Sequence, residues 1–295
     1  MKKLLIWLPG MLSMLAACTE AVEIPARAPE KQSPVRVELH LTTEQQAATR
    51  AMDENCIRDV NLYLYGDTEY HFYFPSVSSP LVFNVLPGNY RSYAIANAGQ
   101  DLGDKNAFKI QFYETAVDVM ESSDAIPMTD RGTLAVDGAG RCTPSSLRVT
   151  RSAAKIAYTI EVADAVAPSL RLRSVQFCNL PLTIRPFDSG SISSTVEANY
   201  YDGEAMPVGN ERRTAGTAYL FENLQGSVDT ITDQKDKCPE NAPACATYLR
   251  ILAERSADKA LVEYIVYPGE NNTSDFNVRR NTWHNLELVI RGEDE

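Results

Sequence analysis

From residue 35 onward, apolar and polar positions alternate with a period of two. Val35, Val37, Leu39 and Leu41 fall on one face, and Arg36, Glu38, His40 and Thr42 on the other, as in a strand with one buried side. Val60–Tyr65 and Glu69–Phe74 read as aromatic-rich strands joined by Gly66-Asp67-Thr68, a hairpin connection. Leu81–Leu86 is a further strand, ended by Pro87-Gly88, and Tyr90–Ala96 the next. Turn residues recur about every 8 to 12 positions, the rhythm of a β-sandwich. Gln45–Ala51 is the best helical stretch and is short, and Asn106–Val119 fits strand or helix. Long segments of 3.6-residue period are missing, which disfavours an α/β enzyme fold.

The run Gly138-Ala139-Gly140 to Pro144 breaks the pattern, and strand patterning resumes over Leu147–Val162. A boundary near 145 therefore divides an N-terminal β domain, 35–145, from a C-terminal one, 146–295. The second domain continues through Leu170–Leu180, Thr217–Leu224, Ala246–Ala253, Ala260–Tyr267 and Trp283–Arg291. Asp188–Arg213 is polar and contains Gly and Ser, and reads as a long loop or weak edge hairpin. A length of 295 residues suits two ordinary domains.

The N-terminus changes the picture from a generic β protein to an exported one. Lys2-Lys3 precedes the apolar run Leu4–Leu15, which is too short for a permanent membrane span and has the layout of a secretory signal. Leu15-Ala16-Ala17-Cys18 closely resembles the bacterial lipobox, which implies removal of 1–17 and lipidation of Cys18 as the first mature residue, anchored by more than one acyl chain. Residues 18–34, with prolines at 25, 29 and 34, read as a tether. Localisation is expected at the outer membrane, lipid-anchored and facing outward. The net charge of −11 repels phosphate backbones, so nucleic acid is not an expected partner.

Candidate chemistry is sparse. His40, His71 and His284 lie in strand-like segments, where a solvent-facing or packed role fits better than a general base. The sequence holds no nucleophile elbow, metalloprotease helix, phosphate loop or dinucleotide fingerprint. The chain is therefore read as not an enzyme, with no catalytic residue, cofactor or metal site. Export permits disulfides among Cys56, Cys142, Cys178, Cys238 and Cys245. The short Pro-rich Cys238–Cys245 loop is the best pair, and an odd count leaves at least one thiol over. Tyr63, Tyr65, Tyr70 and Tyr73 could form an aromatic platform, so a surface glycan-binding lipoprotein is the alternative function.

Several segments together resemble the fimbrillin and minor-fimbrillin-like pilins of Bacteroidales type V fimbriae. They are Leu86-Pro87-Gly88-Asn89-Tyr90 leading into Ala94–Asn97, Ile126-Pro127-Met128, Leu147–Ile156, Phe221–Gly226, Ala246–Leu249 and Asp275–Asn281. The resemblance implies two transthyretin-like Greek-key β-sandwich domains in tandem and a role as a stalk, accessory or anchor subunit of adhesive fimbriae. It also implies partners: other pilin subunits joined by strand addition, and a surface receptor of unknown identity. In such pilins an Arg-specific protease removes the first strand, and a strand of the next subunit fills the groove. Here the removable strand is expected at Val35, Val37, Leu39 and Leu41, with Arg50 as the cut site and Arg58 as second choice. The C-terminal segment with Leu286, Leu288 and Ile290 on one face could be a donated strand or an ordinary interior one.

Overall fold

Period-two runs need edge partners for their main-chain groups and a second layer for their apolar face, and both needs shape the chain. A computed structural model describes residues 33–43, 55–103, 106, 112–113, 126–187, 193–209 and 211–293. The described residues are all-β apart from short 3-10 turns. The first strands are β1 (Val35–Thr43), β2 (Val60–Tyr65), β3 (Glu69–Phe74), β4 (Leu81–Val85) and β5 (Gly88–Ala96). After them come β6 (Phe112–Tyr113), β7 (Met128–Val136), β8 (Cys142–Thr143) and β9 (Ser146–Arg151). The remaining long strands are β10 (Ala153–Val162), β11 (Leu170–Cys178), β16 (Arg213–Phe221), β17 (Tyr248–Arg255), β18 (Leu261–Val266) and β19 (Trp283–Ile290). Four two-residue strands lie among these: β12 (Leu180–Pro181), β13 (Thr183–Ile184), β14 (Tyr200–Tyr201) and β15 (Met206–Pro207).

The first half forms one eight-stranded sheet in the order β3-β2-β5-β7-β9-β1-β4, with β8 added to β7. It folds over a core that includes Val37, Leu39, Leu62, Phe83, Leu134 and Val149. In the second half the sheets β16-β10-β19 and β15-β11-β17-β18 enclose Ile156, Ile160, Leu172, Val175, Leu249 and Ile251. The pairing plan repeats. The first strand of each half, β1 or β10, pairs antiparallel with one neighbour, β4 or β16, and parallel with the last strand, β9 or β19. The ladders β3-β2-β5-β7 and β15-β11-β17-β18 are likewise antiparallel throughout.

The patterned run Leu147–Val162 is not one strand. It breaks at Ser152, which is fully buried and donates its N–H to the Pro127 carbonyl at 2.8 Å. The part before the break, β9, pairs with β1 and β7, and β10 opens the second set of sheets. The sheet membership therefore changes at 152. Of Asn106–Val119, only Asn106 and β6 are described. Gln45–Ala51 lies outside the described residues, as do 1–32.

A third apolar cluster lies between the halves. Tyr63, Tyr93 and Ile95 from β2 and β5 meet Tyr219 and Phe221 from β16, together with Phe187. The Tyr93 and Phe187 rings meet edge to face at 5.1 Å. Polar ties reinforce it: the Arg151 guanidinium, nearly buried, reaches Asn281 at 3.1 Å and Asn55 at 2.7 Å. β6 pairs with β13 across the same junction. Ser33–Glu295 is consequently one compact unit. Phe221→Ala should lower the unfolding free energy by about 3 to 5 kcal/mol, as expected for a deleted buried aromatic. Calorimetry should show the single cooperative transition separating into two.

Candidate functional site

The strand β1 is the segment whose surroundings are most unusual. Its odd and even main-chain groups point to opposite edges, as in any strand. Along Val35–Leu39 it pairs antiparallel with β4, with Val37 opposite Phe83 and Leu39 opposite Leu81. Along His40–Thr43 it pairs parallel with β9. It therefore changes partner in mid-strand. Among the described residues, β1 is the sole strand partner of β4. By contrast β10, its counterpart, is paired on both sides over almost its whole length.

All four apolar residues expected on one face do lie together. Val37 and Leu39 are completely buried, and Val35 and Leu41 pack half-buried against the same core. Arg36, Glu38 and His40 are exposed. The switch point is supported by Ser79 and Leu147. The Leu41 N–H donates to Ser79 Oγ at 3.4 Å, and the Thr42 hydroxyl donates to the Leu147 carbonyl at 3.2 Å. The edge away from β4 is covered by the turn 137–142. The Cys142 thiol donates to the Glu38 carbonyl at 3.3 Å, and burial pushes that thiol's pKa up, so it stays protonated.

The chain after β1 is held by a residue that the sequence reading did not single out. Asn97, with a left-handed backbone (φ 61°), accepts from the Arg58 N–H at 2.8 Å. It also donates to the Cys56 and Ile126 carbonyls, both at 2.9 Å. The Arg58 carbonyl in turn accepts from Val77 N–H, and Asp59 accepts from Ala98 and Gly99 N–H. Arg58 is exposed as a side chain but stitched as a main chain. Arg50 and Cys18 lie outside the described residues. The signal that could have exposed Asn97 was its place at the end of the Ala94–Asn97 segment, where a left-handed Asn closes a strand.

Other site residues fall into the fold itself. Leu286, Leu288 and Ile290 face the second core, and β19 is paired along its length with β10 at the end of the sheet β16-β10-β19, so among the described residues this segment is an edge strand of its own chain's second half. It is pinned at its start by His284, whose Nδ1 lies 3.1 Å from the Gly269 carbonyl; desolvation holds the His284 pKa below its ordinary value. His71 is packed too, stacked on Tyr63 at 4.4 Å with Nε2 3.0 Å from Asn61 Oδ1. The expected Cys238–Cys245 disulfide is not formed: all five described cysteines are free thiols. Cys238 instead starts a tight turn, its carbonyl accepting from Asn241 and Ala242 N–H, while Cys245 is buried in the second half. Spacing alone gave no information about that turn.

The tyrosine platform does not stand free. Tyr63 is buried between the halves, Tyr65 meets Tyr93 edge to face at 5.6 Å, and Tyr70 packs on the first core, its hydroxyl accepting from Leu86 N–H. Among the described residues no helix is long and apolar enough to cross a membrane. No group of three or more His, Cys, Asp or Glu side chains among them is placed to hold a metal. In β1 the burial contrast should be measurable. Leu39→Ala should cost about 2 to 5 kcal/mol in chemical denaturation, whereas Glu38→Ala on the same strand should stay within about 0.5 kcal/mol.

No curated protein matches the sequence. Residues 218–288 match a family model described as a domain of unknown function, DUF4906. Among solved structures, the chain resembles a candidate cell-adhesion protein from Bacteroides eggerthii, at 12% identity and a TM-score of 0.59, covering 90% of this chain and 88% of that one. A candidate cell-adhesion protein from Parabacteroides distasonis gives 10% identity and a TM-score of 0.59, with 88% and 93% covered. The tip fimbrial protein Mfa3 of Porphyromonas gingivalis, truncated at its C-terminus, gives 13% identity and a TM-score of 0.53, with 86% and 94% covered. The chain thus has the fold of these Bacteroidales fimbrial and candidate adhesion proteins.

Proposed function

We propose that this chain is a structural subunit of cell-surface fimbriae, lipidated at Cys18, exported to the outer membrane and assembled by exchange of its first strand. In this reading it is two sandwich domains in tandem, its partners are other pilin subunits, and it serves adhesion and performs no catalysis. The observation that carries the reading is the position of β1. It supplies fully buried residues to the first core, yet each of its segments has a single strand partner. Removing it would withdraw Val37 and Leu39 from the first core, each worth about 1.5 to 3 kcal/mol of burial, and bare the apolar residues they cover. It would also leave β4 and β9 with unpaired main-chain edges. An empty groove of that kind is refilled by an extended strand that restores both. The second half is closed by its own β10 and needs no donor.

The main-chain stitching bears on where a cut would fall. A protease needs an extended, detachable stretch of backbone. Residues 56–59 are held by Asn97 and Val77, and Asn55 by Arg151, so Arg58 is the poorer target and Arg50 the better one. A cut after Arg50 leaves the first core's second strand anchored through these same contacts.

Digestion of the chain lacking residues 1–17 with an Arg-specific protease should give one early cut, after Arg50. The fragment ending at Arg50 should dissociate, and higher oligomers should follow on size-exclusion chromatography. Cutting chiefly after Arg58, or cutting without release or growth, would count against the strand-exchange subunit. Lipidation has its own check. In cells fed labelled palmitate, the wild type should carry label and sediment with membranes, and Cys18→Ser should lose both; label retained by Cys18→Ser would refute the anchor.

A further inference from the structure

The turn Asp137–Cys142, which the sequence shows only as a break in the strand pattern, touches β1 at its backbone. It is built tightly: Asp137 Oδ1 accepts from the N–H groups of Ala139 and Arg141, both at 2.9 Å. The Arg141 guanidinium closes on Asp137 Oδ2 at 2.8 Å, and Gly140 N–H donates to the Asp137 carbonyl. These bonds from Arg141 hold the Asp137 carboxyl below its ordinary pKa. The turn then meets β1 at two alternate residues. Gly140 (φ +79°) comes so close to Arg36 that a Cβ would sit 2.1 Å from the Arg36 carbonyl oxygen, leaving only a Cα–H to face it. Two residues along each chain, the Cys142 thiol donates to the Glu38 carbonyl.

In a strand the carbonyls of residues i and i+2 share an edge. Arg36 and Glu38 therefore present their carbonyls on the edge opposite β4, the same edge on which His40 N–H donates to the Ser145 carbonyl at 3.0 Å. On that edge the groove's contacts from 140, 142 and 145 fall on main-chain atoms of β1. The side chains of Arg36, Glu38 and His40 are exposed and take no part in them; the His40 ring meets the groove only on the opposite edge, with Nδ1 3.4 Å from Ser79 Oγ. Side-chain selection comes from the other direction, through the pockets filled by Val37 and Leu39.

We infer that the 137–142 turn is a clamp that grips the backbone of whatever extended polypeptide lies between β4 and β9, regardless of its polar residues. The ligand it fits is a strand's carbonyl edge: first β1 in its own chain and then, on the strand-exchange reading above, a strand of a second subunit. Gly140 is the positioning element, because no other residue type allows so close an approach at positive φ, and Cys142 supplies the hydrogen bond.

The test uses the chain lacking residues 1–17, cut after Arg50 and freed of its N-terminal fragment. It is titrated with two fluorescent peptides spanning 33–43, one of native sequence and one with Arg36→Thr, Glu38→Thr and His40→Thr. Both should bind the wild type alike. Gly140→Ala should weaken both by at least about tenfold and Cys142→Ala both by about threefold. Unchanged binding in Gly140→Ala, or loss with the native peptide alone, overturns the clamp. Where Gly140→Ala does not fold or the fragment stays bound, hydrogen exchange on the uncut Cys142→Ala chain decides. Amides of 35–43 should exchange about threefold faster with 153–162 unchanged, and equal rates in 35–43 overturn it. Oligomer growth is scored separately. Matched peptide losses without wild-type growth sink the assembly reading and keep the clamp; growth with Gly140→Ala indifferent to both peptides sinks the clamp alone.

Discussion

Everything distinctive in this molecule depends on how one strand satisfies its main chain. A strand buried in a sheet needs partners on both edges, and most strands obtain them from two continuous neighbours. β1 does so piecewise. Its first five residues take β4 on one side and the 137–142 turn on the other, and its last four turn to β9 and the Ser145 carbonyl. The strand thereby closes the sheet of the first half between β4 and β9 without being paired along its whole length to either. Its apolar face still delivers Val37 and Leu39 to the centre of the core, so the strand is energetically necessary and topologically terminal at once.

The repeat between the halves sharpens that point. β10 occupies the same topological position and is paired with β16 from Ala153 to Glu161 and with β19 from Lys155 to Val162. It is followed directly by the turn 163–169, in which Val166 and Ala167 N–H groups donate to the Ala163 carbonyl. One pairing plan has therefore been realised in two ways, one with its first strand locked by two long ladders and one with its first strand held by two short ones and a turn. Hydrogen bonds of this kind contribute only about 1 kcal/mol each, but ladder length sets how many must open together before a strand can leave.

Much of the fold was legible because alternation reports directly on which side is buried. β2 and β3 begin and end where the pattern says, and the apolar face of β1 is the one expected. The failures share a cause. Period-two patterning slips by one residue between β9, which buries Leu147, Val149 and Arg151, and β10, which buries Ala154, Ile156, Tyr158 and Ile160. The slip falls in Arg151-Ser152-Ala153, which carries no turn residue strong enough to read as a break, and the third dimension shows that Ser152 carries the chain from one sheet to another. The paired cysteines at 238 and 245 looked like a closed loop because spacing says nothing of which thiol faces the core. The tyrosines of β2 and β3 suggested a platform because aromatic strands look alike whether they face solvent or a second layer; here Tyr63 is covered by the cluster with Phe187 and Phe221. Gly138–Gly140 read as punctuation because a glycine's contacts are invisible until its neighbour is known.

The cluster between the halves explains why the arrangement around β1 can be tolerated. Tyr63 and Ile95 leave the outer face of β2 and β5 to pack on β16, while Leu62 and Ala94 on the inner face support β1. Arg151 and Asn97 hold the chain just before β2, at Asn55, Cys56 and Arg58, to the second half and to Ile126. The ladder β3-β2-β5-β7 is thus braced from the side that β1 does not touch. A groove stays shaped only if its walls are supported elsewhere, since apolar side chains collapse into a void when nothing opposes them. The second half supplies that opposition, so its rigid, self-complete closure by β10 is the structural condition under which the first half can afford a strand that is held by its edges alone.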